Sequence, residues 1–297
     1  MAKVLIHIGY PKAGSTYLQN WFAQHPAMFY HPIGVTGFYN THDISRYAEK
    51  QEKVHECFVL SSEHLSLWKG DADIVGLRNT KMYDLEGYQY RITETLHSLY
   101  PHAKILIVTR GYASIFPSFY SQYVSGGGTL TFQKVLDEFG MYFNMVYNYS
   151  FIVNRYREVF GNENVLAMPY ELLRDNPAQF TSLIEETVGV KEKFTFPPEK
   201  INAALDRKIL QAYFKFSNFL YRMVQPFPYS FRRKVFMYYI YKLNNTKPHP
   251  LMKFLSKFTT QEISHQGMNE MVQTFKGKSE IFRNEKLYQP YLKEYLL

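Results

Sequence analysis

Short apolar runs, separated by longer stretches with helical periodicity, set the pattern of the first two thirds of the chain. Three of the runs predict buried strands, at Val4 to Ile8, at Cys57 to Ser62 and at Lys104 to Thr109. The third is almost wholly apolar, as expected of a central parallel strand that is covered on both faces. A further strand is predicted at Asn164 to Glu171, where the chain leaves through a Tyr-Glu pair.

The intervals between the strands carry the spacing of amphipathic helices. The predicted helices begin at Ser15, run from Tyr88 to Leu99, extend from near Ala113 to Gly126, span about Thr131 to Phe160, and run from Pro177 to Val188. A polar segment, Ser45 to His55, is also predicted to be helical, whereas Phe29 to Asn40 predicts a loop that borders a cleft. Alternating strands and helices predict an α/β fold with a central parallel sheet flanked by helices.

The last third of the chain, from about Ile201, is predicted to be helical and rich in aromatic residues. We interpret 1–297 as a single domain in which 201–261 forms a basic helical lid. The final segment, Ile281 to Leu297, predicts a short helix that packs back on the domain. One face of that helix would carry Asn284, Leu287 and Tyr291.

Composition limits the class of protein. A chain of 297 residues that is 46% hydrophobic can bury a substantial core. Its single cysteine, Cys57, excludes an intrachain disulfide and fits a reducing compartment, and no Cys/His cluster predicts a zinc site. No apolar run approaches the roughly 18 residues of a membrane span, and the first strand begins almost at the first residue. We therefore expect a cytoplasmic protein.

The net charge of +8 comes from one region of the chain. Residues 207–261 contain eleven of the 34 Lys and Arg residues and no Asp or Glu, which leaves the remainder slightly acidic. A merely solvated surface usually mixes both signs. Two interpretations stay open for this region. Its aromatic residues fill the core of the lid while the cations point outward, or it contacts an anionic membrane surface or an acidic glycan.

The basic character, with a pI of about 9.2, also raises the alternative of a nucleic-acid-binding protein. The sequence carries no recognised signature of a nucleic-acid-binding fold. Its basic region lacks the Gly/Arg repeats of disordered nucleic-acid-binding segments. We therefore expect no nucleic-acid partner.

The stretch between the first strand and the first helix, Gly9-Tyr-Pro-Lys-Ala-Gly14, predicts an anion-binding loop. The N–H groups of such a loop converge, and the dipole of the following helix adds about half a positive charge. Lys12 can add a full charge. In the loop of nucleoside-triphosphate-binding enzymes, a lysine follows the second glycine. Here Ser15 holds that position, which disfavours a nucleotide-dependent kinase, the nearest alternative enzyme.

The loop resembles the 5′-phosphosulfate loop of the sulfotransferases that use 3′-phosphoadenosine 5′-phosphosulfate (PAPS). The family pattern is roughly Pro-Lys-x-Gly-Ser/Thr-Thr-x-Leu. The residues that match it are Pro11, Lys12, Gly14, Ser15, Thr16 and Leu18. The resemblance implies that the loop, including the backbone of Ala13, binds the 5′-phosphosulfate. It also implies that Lys12 stabilises charge on the leaving phosphate oxygen.

A second match follows the strand at 104–109. Arg110 and Ser118 are eight residues apart, and sulfotransferases use an Arg and a Ser at this spacing to hold the 3′-phosphate. The chemistry is suitable, because Arg presents a planar fork to a dianionic phosphate and a hydroxyl completes the shell. Ser114 and Ser121 lie one turn away on either side and offer alternative hydroxyl groups.

The resemblance continues towards the C-terminus and weakens there. Val165 to Pro177 is similar to a later strand of the family and to its Tyr-Glu turn. Phe275-Lys-Gly-Lys278 is weakly similar to a C-terminal Arg-Lys-Gly loop, which implies that Lys276 and Lys278 contact phosphate. In all, the similarity is good over roughly residues 1–190.

Glu63 and His64 are the first candidates for a general base. They follow the strand at 57–62, and ligands of open α/β sheets lie outside the carboxyl ends of the strands. The family uses either His or Glu to take the proton of the acceptor. Because Ser-Ser-Glu resembles carbohydrate-type bacterial members, we favour Glu63. The alternatives are His64, His7 and His42.

The resemblance as a whole implies a sulfotransferase that moves the sulfuryl group of PAPS to a hydroxyl group of an acceptor. It implies no obligatory metal. Aromatic rings stack on sugars, so the aromatic and basic region predicts an acceptor glycan, a glycolipid or another lipid-linked hydroxyl compound. The enzyme would be either free in the cytoplasm or peripheral to the inner face of a membrane.

Overall fold

The structure of the protein is a computed structural model. The structure describes residues 3–30, 55–66, 84–195, 205–243, 248–259, 262–265 and 267–296. His42 and the helix predicted for Ser45 to His55, apart from its last residue, lie outside these ranges.

Five parallel strands form the sheet of the described chain, in the order β2-β3-β1-β4-β5. The strands are β1 (Lys3–Gly9), β2 (Met28–Tyr30), β3 (Cys57–Ser62), β4 (Lys104–Thr109) and β5 (Val165–Pro169). In the central register, Ile6 of β1 lies opposite Leu60 of β3 and Ile105 of β4. All three side chains are buried, because the sheet is covered on both faces. The predicted α/β architecture is therefore confirmed.

The helices between and after these strands begin and end close to the predicted positions in most cases. They are α1 (Ser15–Gln24), α2 (Leu85–Leu99), α3 (Tyr112–Ser125), α4 (Phe132–Val146), α5 (Tyr149–Phe160), α6 (Tyr170–Asp175), α7 (Pro177–Val188), α8 (Arg207–Val224), α9 (Tyr229–Leu243), α10 (Pro250–Ser256), α11 (Met268–Gln273) and α12 (Leu292–Tyr295). None of these described helices has both the length and the apolar composition that crossing a bilayer requires.

Two predictions of single elements were wrong in the first half of the chain. The edge strand β2 overlaps the start of the segment from Phe29 to Asn40, for which only a loop was predicted. It is three residues long, too short for a periodic signal, and it forms by pairing with β3, for example Phe29 with Phe58. The single helix predicted over 131–160 is two helices. Asn148 separates them, since its side chain caps α5 by accepting a hydrogen bond from the Phe151 N–H at 3.3 Å.

The C-terminal segment is also different from the predicted helix. It consists of two 3₁₀ turns, at Glu280–Asn284 and Lys286–Tyr291, followed by α12. Pro290 interrupts regular α-helical hydrogen bonding, because it has no N–H group. The buried side chains are Phe282, Tyr288 and Tyr295 instead of the predicted Asn284, Leu287 and Tyr291.

The predicted helical region of the last third is present as α8, α9 and α10. Helix α8 begins at Asp206, whose carboxylate accepts hydrogen bonds from the N–H groups of Lys208 and Ile209. It packs against α3 and α10. The Tyr239 hydroxyl of α9 lies 2.8 Å from the Ser217 hydroxyl of α8, and this buried hydrogen bond fixes the two helices to each other.

A buried histidine lies within the sheet, on β1. His7 Nδ1 is 2.8 Å from the Ser61 hydroxyl of β3, and its ring packs beside Phe22 of α1. Its Nε2 makes no hydrogen bond with the described residues. Burial lowers the pKa of His7 to about 3, so the imidazole is neutral in the folded protein.

We predict that His7 makes the fold acid-sensitive. Its folded pKa of about 3 lies below the ordinary value of 6.5, so between these pH values the unfolded chain binds a proton that the folded chain does not. Stability is complete above the unfolded pKa and falls as the pH decreases, by about 2 kcal/mol between pH 7 and pH 5. In urea titrations at these two pH values, His7→Gln should lose that much less stability than the wild type.

The matched control is His97→Gln, because the ring of His97 is only half-buried at the end of α2, against Phe160. This variant should keep the wild-type pH dependence. If His7→Gln and the wild type respond to acid equally, His7 is not the titrating group.

Candidate active site

The loop between β1 and α1 is a tight turn beneath its own helix. The Ala13 N–H donates to the Tyr10 carbonyl at 3.2 Å, and the Ser15 hydroxyl donates to the same carbonyl at 3.1 Å. Pro11, Ala13 and Ser15 are buried, whereas Thr16 is exposed at the start of α1. These contacts therefore fix the backbone of the loop, whereas the N-terminus of the helix, at Thr16, is exposed to solvent.

Gly14 is required at its position for two physical reasons. Its φ of +86° lies in the left-handed region, which other residues rarely adopt. A Cβ atom there would also lie 2.7 Å from Leu173 and 3.2 Å from Tyr170, both on α6. Gly14 is the N-cap of α1 and supplies no side-chain acceptor, so the first N–H groups of the helix have no capping side chain.

Lys12 has an uncommon backbone conformation, with a φ of 65°. Its carbonyl oxygen accepts a hydrogen bond of 2.6 Å from Arg110 Nη1, which joins the loop to the end of β4. Burial lowers the pKa of Lys12, and the charge of Arg110 lowers it further, while the carboxylate of Glu63 opposes both effects. Three predicted site residues thus interact electrostatically in one place.

Arg110 is oriented by four groups on three different elements. Besides the Lys12 carbonyl, its Nε donates to the Ser114 hydroxyl at 2.9 Å and its Nη1 lies 3.4 Å from the Ser118 hydroxyl. The guanidinium carbon lies 4.6 Å from the centre of the Tyr170 ring. The Ser118 contact is longer than a usual hydrogen bond of roughly 2.7–3.2 Å, so Ser114 is the firmer partner of Arg110.

Glu63 lies next to the beginning of the loop. It opens a 3₁₀ turn, Glu63–Leu65, directly after β3, and His64 belongs to the same turn. A Cβ atom on Gly9 would be 3.5 Å from the Glu63 Cγ atom. The Ser66 hydroxyl donates to the Gly9 carbonyl at 2.6 Å and so fixes the turn against the loop.

The other predicted residues make different contacts. His7 is enclosed in the sheet and offers no nitrogen to the surface. The Lys276–Lys278 turn packs on α3 through Phe275, whose ring centre is 4.8 Å from that of Tyr112. Lys276 is exposed, whereas Lys278 Nζ donates to the Asn144 carbonyl at 3.0 Å. Among the described residues, no cluster of His, Cys, Asp and Glu has the arrangement of a metal site.

Sequence reasoning missed a buried network that supports Arg110 from behind. The buried carboxylate of Glu171 accepts a hydrogen bond of 3.0 Å from the Gly111 N–H and one of 2.7 Å from the Tyr295 hydroxyl. The Thr109 hydroxyl lies 2.8 Å from the Tyr288 hydroxyl. The C-terminal segment therefore holds the end of β4, although the sequence indicated only a Tyr-Glu turn after β5.

A cluster of buried tyrosines continues this support to the loop. The Tyr149 hydroxyl donates to the Arg110 carbonyl at 2.8 Å, and its ring stacks on Tyr112 at 5.3 Å. The Tyr10 ring contacts Tyr147 and Tyr149 at 5.8 and 5.3 Å. Burial raises the pKa of each of these tyrosines, so their hydroxyl groups are neutral in the folded protein.

The chain matches the family model of the sulfotransferase domain over residues 2–221. The protein therefore belongs to the sulfotransferase family. The solved sulfotransferase of Alicyclobacillus acidocaldarius is similar in fold, with a TM-score of 0.51 and 21% identity over 78% of this chain and 99% of that one. The mouse sulfotransferase SULT7A1 complexed with PAP aligns with a TM-score of 0.45 and 14% identity, over 99% and 87% of the two chains. No curated protein matches the sequence.

We predict that the Glu171 carboxylate is needed to hold the end of β4. Glu171→Gln keeps the size of the side chain but leaves a single acceptor oxygen, so one of its two buried donors loses its partner. We expect Glu171→Gln to lower the free energy of unfolding by about 1–3 kcal/mol. Tyr295→Phe should lower it by an amount in the same range. Urea unfolding measures both.

The control for this prediction is Glu138→Gln on α4, where the side chain is exposed. Its effect should stay within about 0.5 kcal/mol. Equal stability of all three variants and the wild type would contradict a supporting role for Glu171.

Proposed function

We propose that the protein transfers a sulfuryl group from PAPS to a hydroxyl group of an acceptor. The hydrogen bond from Arg110 to the Lys12 carbonyl carries this proposal, because it brings the two predicted phosphate-binding segments together. Lys12 and Arg110 contribute two positive charges at the carboxyl ends of the adjacent strands β1 and β4. A dianionic ligand would relieve their mutual repulsion.

We assign the 5′-phosphosulfate to the loop. The Ala13 N–H donates to the Tyr10 carbonyl and holds the turn. The N–H groups of Gly14 to Thr16 lie at the uncapped N-terminus of α1, where the helix dipole and unpaired N–H groups favour an anion. Pro11, Gly14 and Ser15 shape the turn that presents them. Lys12 is half-buried beside the loop and supplies the charge that stabilises the leaving phosphate oxygen.

We assign the 3′-phosphate to Arg110, with the hydroxyl groups of Ser118 and Ser114. The Tyr170 ring supports one face of the guanidinium, so its orientation is set before a ligand binds. Lys276 and Lys278 are proposed as additional phosphate contacts. Lys276 has the exposed ammonium group of the two, and Lys278 would exchange its hydrogen bond to the Asn144 carbonyl for phosphate.

Glu63 is proposed as the general base. PAPS, when bound, supplies an activated sulfuryl group whose sulfur–oxygen bond to the 5′-phosphate breaks during transfer. Glu63 would take the proton from the attacking acceptor hydroxyl. Its position between the loop and the end of β3 supports this role, and its electrostatic interaction with Lys12 indicates that the two charged groups lie near each other.

We further propose that the acceptor is a hydroxyl group of a glycan or a glycolipid, and that the reaction takes place in the cytoplasm. The Ser61-Ser62-Glu63 sequence at the end of β3, which resembles carbohydrate-type members of the family, supports the acceptor class. Cys57 is a free, buried thiol, which fits a reducing compartment.

Removal of either phosphate-binding cation tests the proposed function. Lys12→Ala and Arg110→Ala should each lower PAPS-dependent turnover at least about a hundredfold, since each loses a charge matched to phosphate. Lys134→Ala, which removes an exposed lysine of α4, is the control and should keep full activity. Normal turnover in both site variants would contradict the proposal.

The same variants separate this function from a kinase. Adenosine 3′,5′-bisphosphate should raise the melting temperature of the wild type, and Mg-ATP should raise it much less. Lys12→Ala and Arg110→Ala should lose this stabilisation, and Lys134→Ala should keep it.

A second substitution tests the base. Glu63→Gln removes proton acceptance with little change in volume, so turnover should fall at least about a hundredfold while adenosine 3′,5′-bisphosphate still binds. Titration calorimetry and the turnover assay measure the two properties. Glu86→Gln, an exposed glutamate of α2, is the control. If Glu63→Gln stays active and His64→Ala alone is inactive, His64 is the base.

A further inference from the structure

Exposed apolar side chains are concentrated in one region of the molecule. Of the thirteen large hydrophobic side chains that are exposed in the described chain, ten lie between residues 219 and 258. These residues belong to α8, α9, α10 and the turns beside them. Since scattered single exposures are normal but concentrated ones mark interaction sites, this region is a candidate binding surface.

Helix α8 has a mixed aromatic and cationic outer face. Lys215, Phe219, Arg222 and Met223 follow the spacing i, i+4, i+7 and i+8, so they share one side of the helix. All four are exposed, and Phe219 is 60% exposed. The opposite side contains the buried Tyr213, which fixes the helix to the protein. The outer face of α8 therefore makes no contribution to the core and is exposed to solvent.

Helix α9 is apolar on both of its sides. Phe236 and Tyr239 are buried, while Tyr238 and Tyr241 point outward and are 67% and 77% exposed. Lys242 Nζ lies 6.0 and 5.8 Å from the centres of these two outer rings. Adjacent exposed aromatic rings of this kind mark interaction surfaces. The outer side of α9 therefore has the composition of an interaction surface.

Helix α10 repeats the pattern. Leu251, Phe254 and the following Phe258 are exposed at a spacing of three and four residues, and the last two rings are 5.2 Å apart. Lys253 and Lys257 are exposed between them. We call the outward side chains of the three helices the aromatic–basic surface. It comprises Lys215, Phe219, Arg222, Met223, Arg233, Lys234, Met237, Tyr238, Tyr241, Lys242, Leu251, Lys253, Phe254, Lys257 and Phe258.

The charge of this surface selects its partner. Residues 207–261 contain eleven Lys and Arg and no Asp or Glu, and an ion pair at their edge joins Arg207 to Glu262 at 3.7 Å. A second copy of the chain would bring like charges together, which opposes association. An acidic glycan would match the charge, but it offers nothing apolar for Met223 and Met237. An anionic membrane surface matches both properties.

We propose that the aromatic–basic surface binds an anionic membrane surface. Phe, Met and Leu side chains enter the boundary between headgroups and acyl chains, and the Tyr hydroxyls stay at headgroup depth. The Lys and Arg side chains contact anionic headgroups, and their long aliphatic stems reach outward from the apolar layer. The whole enzyme is thereby a peripheral protein of the membrane.

Vesicle co-sedimentation of the full chain tests this binding. The wild type should sediment with vesicles of phosphatidylcholine and phosphatidylserine at low salt, and high salt should release it. It should stay in solution with phosphatidylcholine alone. At about 1 kcal/mol for each basic residue, the combined change Arg233→Glu, Lys234→Glu and Lys242→Glu should weaken binding at least about a hundredfold.

Two further variants sharpen the test. Phe219→Ser, Tyr238→Ser and Phe254→Ser together remove exposed rings, so they should weaken vesicle binding and leave the melting temperature unchanged. The matched control reverses three exposed lysines elsewhere, Lys134→Glu, Lys191→Glu and Lys293→Glu. It changes the net charge equally and should bind like the wild type.

Several outcomes would overturn the proposal. They are equal partition onto neutral and anionic vesicles regardless of salt, equal loss of binding in the control variant, and no sedimentation of folded wild type. Concentration-dependent dimers without vesicle binding would assign the surface to a second copy. Retention on heparin without vesicle binding would assign it to an acidic glycan. Vesicle binding needs no turnover, so these results are independent of the sulfotransferase assays.

Discussion

The hydrogen bond from the Arg110 guanidinium to the Lys12 carbonyl is the contact on which the site depends. It joins two segments that are 98 residues apart in the chain, across the adjacent ends of β1 and β4. It also keeps two cations close, and the charge of Arg110 contributes to the lowered pKa of Lys12. Because the two cations repel each other, other contacts must hold both segments in place. An anion that lies between the two cations would stabilise this arrangement most.

Those other contacts come largely from the end of the chain. Tyr288 and Tyr295 reach Thr109 and Glu171 with buried hydroxyl groups, so residues beyond the matched family domain hold the strand end that carries Arg110. On the other side, Leu173 and Tyr170 of α6 approach Gly14 too closely for any side chain there. The loop and the segment at Arg110 are thus fixed by packing within the protein itself, which lowers the cost of ordering them on binding.

The local parts of this arrangement could be predicted from the sequence, and the long-range parts could not. Apolar runs bounded by glycine indicated β1, the loop and α1, because their pattern is contained in about twenty consecutive residues. The cap at Asn148, which divides α4 from α5, is also a local signal. The helical periodicity continues on both sides of it, however, and so predicts one helix. Glu171 and Tyr295 are 124 residues apart, and their hydrogen bond follows from tertiary packing alone. Likewise, β2 exists through its neighbour β3 and has little pattern of its own.

The basic region shows the same division between composition and geometry. Its charge was evident from the sequence, whereas the orientation of its aromatic residues was not, because Tyr238, Tyr239 and Tyr241 of α9 are too close together in the sequence to mark a single face. Two inward contacts decide it: the Tyr239 hydroxyl meets Ser217, and Tyr239 and Ile240 come within about 3.4 Å of a Cβ position on Gly127. With Tyr239 fixed inward, the helical repeat turns Tyr238 and Tyr241 outward. Core packing therefore determines which of the aromatic residues of α9 are available to a partner.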